Sequence, residues 1–324
     1  MIDFRYHLVS LASVLIALAI GIVLGAGPLK EGIGESLGQQ VSSLRQEKDQ
    51  LRTELDAATA ENNGHAAFER AALADLVADR LSGNSVAVVT LPGAASGLVS
   101  NIEDTLGAAG AELAGPAQIE QAWTDPAPDA VQERAALAGE LAPKLGLTPA
   151  EDGSVSLDEV LAAVLTNRRP AAGEQPGQPA PSESERSEAW SRLREAKLVG
   201  GSFPDTAASL VVVVGAPQIA VPAQTATTDA DPLAGLARLA LALDRGSDGA
   251  VIAAEVDPTV ANAESVVSAA RSESQVRQRV SSVDNAGSAM GQASIVFALA
   301  EQDTGGAGQY GRLTGAGALF PDVS

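Results

Sequence analysis

The sequence predicts an α/β protein with a mainly parallel sheet, preceded by an N-terminal transmembrane helix and a coiled-coil stalk. Three observations predict it. An apolar run from Leu8 to Leu29 holds 22 residues without a charge, and Leu37 to Leu55 repeat apolar residues at heptad spacing. From Ser85 onward, short Val- and Ala-rich runs alternate with helical patterns, the signature of strands paired in parallel through right-handed crossovers in a Rossmann-like domain.

The apolar run reads LVSLASVLIALAIGIVLGAGPL, with Arg5 and His7 before it and Lys30 and Glu31 after it. At about 1.5 Å per residue it reaches about 33 Å, enough for a hydrocarbon core of about 30 Å. Gly25-Ala26-Gly27 offers the small residues of a signal-peptide cleavage site. The run, however, outlasts the usual apolar region of about 7 to 15 residues, and a heptad pattern follows at once. The expectation is an uncleaved single-pass helix over residues 8–29. Residues 1–7 (Ile2, Asp3, Phe4, Arg5, Tyr6 and His7 after the first Met) then form a short cytoplasmic N-terminus, with the C-terminal domain extracytoplasmic in the cell envelope. Basic residues do not decide that orientation, because Arg5 precedes the span while Lys30, Arg45 and Lys48 follow it, and long domains translocate regardless of such charges.

After a Gly-rich joint at Gly32, Gly34 and Gly38, the residues Leu37, Val41, Leu44, Leu51 and Leu55 recur at alternating spacings of four and three, with Lys48 in the missing seat. This is a coiled-coil seam. Arg45, Glu47, Asp49, Arg52 and Glu54 occupy the remaining faces, and the pattern fades at Asn62-Asn63-Gly64. A second helical stretch, His65 to Leu81, carries Phe68, Ala72, Leu73, Leu76, Val77 and Leu81 on a broader apolar face suited to docking on a globular part. Stalk and docking helix are expected over residues 35–82, with Leu37 to Ala60 reaching about 36 Å. Two copies anchored in one membrane must run in the same direction, so the seam predicts a parallel homodimer.

Residues 83–324 form the α/β domain. SVAVVT from Ser85 is a strand ending in Pro92-Gly93, followed by a helix to about Leu106 and an extended piece near Ala111 to Ala114. Helices are expected from Val131 to Leu145, after a Thr148–Glu151 capping box, and after Ser156 with Glu159. Pro, Gly, Ser and Glu content marks residues 168–188 as a disordered insert. A helix around Trp190 to Leu198 leads to the buried strand Leu210 to Val214. Asp231 caps a helix that has Pro232 in its first turn, and Ala250 to Ala254 form the next strand. Asp257-Pro258-Thr259 is expected to open a helix through Glu273, Val280 to Val283 to be a strand, and Ala286 to Leu299 the last helix. The Gly305-Gly306-Ala307-Gly308 stretch reads as flexible, with a tail able to fold back.

Composition excludes several chemistries. With 41 acidic and 21 basic residues the net charge is −20, which repels nucleic acid and anionic headgroups. There is no Cys, and the two histidines, His7 and His65, both precede the α/β domain. A Ser-His-Asp triad, HExxH and CxxC are therefore absent from it. Pro92-Gly93-Ala94-Ala95-Ser96-Gly97 lacks the spacing of a dinucleotide loop and the Lys of a phosphate loop, so it reads as a tight turn. The acidic pairs Glu103-Asp104 and Glu151-Asp152 read as solvated surface. No catalytic, cofactor-binding or metal-binding residue is expected, nor is enzymatic activity.

Met1-Ile2-Asp3-Phe4-Arg5-Tyr6-His7, then Leu8-Val9-Ser10-Leu11 and Gly21-Ile22-Val23-Leu24-Gly25, resemble the opening of the actinobacterial family named for the copper transporter MctB, which includes SteB-like envelope proteins. Gly215-Ala216-Pro217, Ser281-Ser282-Val283-Asp284-Asn285 and Tyr310-Gly311 extend the likeness over most of the chain. The resemblance implies two roles. One is copper efflux, homeostasis or an envelope channel. The other is an adaptor between a cytoplasmic SteA-like protein, met by Ile2 to His7, and an extracytoplasmic peptidoglycan hydrolase that acts in cell separation. Copper handling exploits Cys, Met or His, which this chain nearly lacks, and a pore needs several spans or long hairpins. The adaptor is the expectation.

Overall fold

The computed structural model describes residues 4–26, 28–149, 153–167, 180–204, 206–217, 219–220, 231–260 and 263–322. It divides into two compact units, Met1–His65 and Ala66–Ser324.

Two helices begin the chain, α1 (Phe4–Ala26) and α2 (Pro28–Val77). Among the described residues, the stretch long and apolar enough to cross a membrane is Phe4–Gly25, which overlaps the expected span of 8–29. One correction concerns α2, which runs unbroken through Gly32, Gly34 and Gly38 and again through Asn62-Asn63-Gly64. Each of these residues costs a helix at most about 1 kcal/mol relative to Ala, and the Ala, Leu, Glu, Gln and Arg around them propagate the helix across. The joint and the division into two helical stretches are both absent.

In the second unit the strands are β1 (Ser85–Thr90), β2 (Glu112–Ile119), β3 (Val199–Gly200), β4 (Leu210–Val214), β5 (Ile219–Ala220), β6 (Gly249–Ala253), β7 (Ala263–Glu264), β8 (Ser281–Val283) and β9 (Gln309–Tyr310). The helices are α3 (Ser96–Ala108), α4 (Pro128–Leu141), α5 (Leu157–Leu165), α6 (Glu183–Glu195), α7 (Pro232–Arg245), α8 (Val266–Ser272), α9 (Ser274–Arg279) and α10 (Ala289–Asp303). Seven strands form one sheet in the order β3-β2-β1-β4-β6-β8-β9. Within that sheet, among the described residues, the β2–β3 pair alone is antiparallel, and β5 and β7 form a separate antiparallel pair. The fold is α/β, as expected.

The period of two in the strands sorts the core. Val86, Val88, Val212, Val251 and Ala253 face α3 and α10 together with Val77 and Leu81. Ala87, Val89, Val211, Val213, Ala250 and Ile252 face the opposite layer, α4 to α9. At about 1.5–3 kcal/mol for each fully buried Val, Leu or Ile, these two methyl-rich layers carry most of the domain, with Trp123 and Trp190 buried in one and Phe297 and Tyr310 in the other.

The crossovers depart from expectation once. The links β4–α7–β6 and β8–α10–β9 both step the same way across the sheet, yet α7 and α10 lie on opposite faces. The last connection therefore has the opposite hand to those before it. Its short strand is held instead by side chains described below.

Local signals decide most of the boundaries. Ser156 with Glu159 and Asp231 with Pro232 cap α5 and α7 as read. A further capping box, Ser182 with Glu185, starts α6 at Glu183. That corrects the insert 168–188, whose C-terminal residues are helical; residues 168–179, and Glu151 of the expected Thr148–Glu151 box, lie outside the described residues. Asp257 opens no helix. Its Oδ1 accepts from Thr259 N at 2.8 Å and from Thr259 Oγ1 at 2.6 Å, which closes a turn, and the helix waits for the Ser265 cap. Gly305 to Gly308 form a defined turn, in which Gly306 N donates to Glu301 O and Gly308 N to Ser281 Oγ.

Candidate functional site

On α2, Leu37, Val41, Leu44, Leu51 and Leu55 are 42–64 % exposed. The flanking polar residues satisfy one another along the same helix. Gln50 Nε2 donates to Glu54 Oε1 at 2.9 Å, Thr53 Oγ1 to Asp49 O at 3.0 Å, and Lys48 pairs with Asp49 at 3.4 Å. Every residue of the expected seam therefore lies on one helix with its apolar surface open to a partner. A monomer in water rarely leaves such a stripe uncovered.

The expected docking face is realised only in part. Val77 and Leu81 are buried and Leu73 packs beside them. Phe68 and Leu76 remain exposed, because α2 turns them away from the sheet. Of the N-terminal residues, Phe4, Arg5, Tyr6 and His7 form the first turns of α1, with Phe4 and Tyr6 exposed. Ile2 and Asp3 lie outside the described residues.

The α/β domain adds a crevice that the sequence did not announce. After β1 the chain leaves over one face of the sheet and after β4 over the other, so the C-terminal ends of these neighbouring strands diverge. Doubly wound sheets bind ligands at such switch points. Gly93, at φ +82°, turns the chain out of β1. A Cβ there would crowd Ala216 at 3.3 Å. The resulting cavity of about 910 Å³ has Leu91, Pro92, Pro217 and Leu236 on its apolar walls and Asp125 and Glu264 at its polar edge. Those carboxylates make it inhospitable to phosphate.

Beside it, a cavity of about 320 Å³ is lined by Trp123, Arg134, Asp158 and Arg238. Trp123 Nε1 donates to Asp158 Oδ1 at 3.0 Å. Burial pushes the Asp158 carboxyl up to about 6, against the pull of that hydrogen bond and of Arg238 and Arg134. Arg134 is held by the carbonyls of Ala122 and Asp125, and Arg238 by Glu273. The pair positions a carboxyl, but no histidine or cysteine stands near it to complete an acid–base or nucleophilic set.

The Ser281–Asn285 motif proves to be a clasp. Arg271 Nη1 meets Asp284 Oδ2 at 2.7 Å with both side chains almost fully buried. Arg271 also donates from Nε to Ser282 Oγ and from Nη2 to Tyr310 O. Asp284 accepts in addition from Arg312 N at 2.7 Å and Leu313 N at 2.9 Å. These bonds fasten β9 and the following tail to β8. Among the described residues, no group of three or more His, Cys, Asp or Glu is placed to hold a metal ion.

Comparison with known proteins matches residues 1–321 to the family described as "Copper transport outer membrane protein, MctB". The protein named "Copper transporter MctB" in Mycobacterium tuberculosis (strain ATCC 25618 / H37Rv) is 29% identical over 341 residues, covering 100% of both chains. The protein of that name in Mycobacterium bovis gives the same figures. In Mycobacterium leprae its namesake is 27% identical over 330 residues, 96% of each chain.

Proposed function

The chain belongs to the MctB family, and from that membership and its exposed seam we propose a single-pass, membrane-anchored adaptor of the cell envelope without enzymatic activity. In this reading the apolar helix from Leu8 onward stays in the membrane as an uncleaved anchor. The N-terminus faces the cytoplasm, and the α/β domain lies outside it. Two copies pair through Leu37, Val41, Leu44, Leu51 and Leu55, and that open apolar stripe is the observation that carries the proposal. Resemblance to SteB-like proteins supplies the partners: a cytoplasmic SteA-like protein at Ile2 to His7 and an extracytoplasmic peptidoglycan hydrolase regulated during cell separation.

The family description and the names of its relatives favour a second reading, copper transport or homeostasis. Against direct chelation, copper prefers thiolate, thioether and imidazole ligands, and the chain has no Cys, two Met and two His. Two measurements separate the readings. Light scattering on the detergent-solubilised full chain should show a dimer that Leu44→Asp with Leu51→Asp dissociates; an unaltered mass refutes the seam. Titration with cuprous and cupric ions should show no tight stoichiometric uptake; such uptake would put copper first.

A further inference from the structure

Resting on the dimer reading above, we propose that the seam pairs with a second copy in parallel and in register, and that Lys48, Asn62 and the Glu47–Arg52 pair select this alignment. The helix is continuous from Leu37 to His65, so one heptad frame runs through it. With Leu37, Leu44, Leu51, Ala58 and His65 at the d seats, the a seats fall to Val41, Lys48, Leu55 and Asn62. Leu at d with β-branched or polar residues at a is the pattern of parallel dimers, and a single Asn or Lys at a sets register and strand number at a cost in stability. Asn62 joins the seam because α2 continues through it.

Charge chooses between the two directions. The g seats are Gln40, Glu47, Glu54 and Glu61, and the e seats include Arg45 and Arg52. In a parallel pair each g residue faces the following e residue of the second copy. Glu47 then meets Arg52 twice, once on each side. An antiparallel pair sets g against g and e against e, which brings acid to acid and base to base. The described ion pairs on α2 use neither Glu47 nor Arg52, so both are available across the seam.

Charge and amide together choose the register. In register, each Lys48 lies beside Glu47 of the second copy, and Asn62 meets Asn62 with amide hydrogen bonds. A slip of one heptad sets the Lys48 ammonium against the methyl groups of Val41 or Leu55 and Asn62 against Leu55, leaving polar groups buried without partners.

The absence of cysteine makes the test clean. Leu37→Cys, Leu44→Cys, Leu51→Cys and Ala58→Cys would each be made in the full chain, kept in its membrane and oxidised with diamide. Thr53→Cys, at an f seat, serves as the outer-face control. Disulfides need Cα atoms about 4.4–6.8 Å apart, which only opposed seam residues meet. All four seam variants should form covalent dimers and Thr53→Cys should stay monomeric. Arg52→Glu should raise the dissociation constant roughly tenfold, with recovery on adding Glu47→Arg.

Cross-linking only in mixtures, Leu37→Cys with Ala58→Cys or Leu44→Cys with Leu51→Cys, overturns the alignment in favour of an antiparallel or slipped pair. Equal cross-linking at Thr53, or no cross-link in a chain that scatters as a dimer, overturns it as well. A chain that is monomeric by light scattering instead removes the dimer reading on which the alignment rests.

Discussion

Asp158 should contribute stability to the α/β domain in mild acid that is lost at neutral pH, and Asp158→Asn should remove that contribution. Its carboxyl titrates at about 6 in the folded chain against an ordinary value of 3.8. Between those values the folded protein holds a proton that the unfolded chain releases, so raising the pH favours unfolding. The stabilising contribution is complete below about 3.8 and is lost as pH rises through about 6. A difference of about 2.2 units at about 1.36 kcal/mol each sets a ceiling of about 3 kcal/mol. Asp158 is only half-buried as a residue, and solvent at the cavity rim lowers the expected effect to about 1–2 kcal/mol. Asn keeps an oxygen for Trp123 Nε1 and removes only the charge. Urea unfolding of the solubilised full chain, followed by Trp fluorescence from about pH 4 to about pH 7, measures it. The advantage of the variant over the wild type should grow with pH. Taking the difference cancels other titrating groups such as Asp244, whose carboxyl burial also raises, and Glu140, which the Arg192 hydrogen bond lowers. A difference that stays flat across that range refutes the assignment.

Other perturbations probe the remaining features. Asp284→Ala strands the buried Arg271 guanidinium and should cost about 3–5 kcal/mol in urea unfolding, with early proteolysis of the tail after Tyr310. Leu44→Asp with Leu51→Asp removes four Leu from a dimer seam; at about 1.5–3 kcal/mol each, the loss exceeds about 6 kcal/mol, and sedimentation should find monomer throughout. Lys48→Leu should raise the melting temperature of the dimer while allowing mixed registers in disulfide mapping. Gly291→Ala drives a Cβ into the carbonyl of Asn285 and should lower the thermal midpoint of the α/β domain by an amount equivalent to about 1–3 kcal/mol.

What the sequence disclosed was local. The Leu210–Val214 and Gly249–Ala253 strands announce themselves because a central parallel strand is apolar on both faces. The Ser156–Glu159 box and Asp231-Pro232 announce helix starts because capping is settled within three residues. The heptad of α2 was legible for the same reason. Where the reading failed, a local cue was overruled by its neighbours: Gly32, Gly34 and Gly64 look like breaks, yet each lies in a strong helix that absorbs the penalty. Asp257 failed the other way. A capping residue by type, it spends its Oδ1 on Thr259 and closes a turn.

The crevice and the clasp were illegible because each joins segments remote in sequence. Leu91 and Pro217 meet only because β1 and β4 are neighbours in the sheet order, and nothing near either residue records that adjacency. Arg271 and Asp284 are close in sequence, but the third partner, Tyr310, arrives from beyond α10. A buried guanidinium needs several acceptors at once, so Arg271 stays in the core only when the tail has returned to β8. That requirement explains how a connection of unusual hand ends in a strand of two residues. Hydrogen bonds between backbones alone hold such a strand weakly. The Arg271–Asp284–Tyr310 set makes its return a condition of satisfying the core.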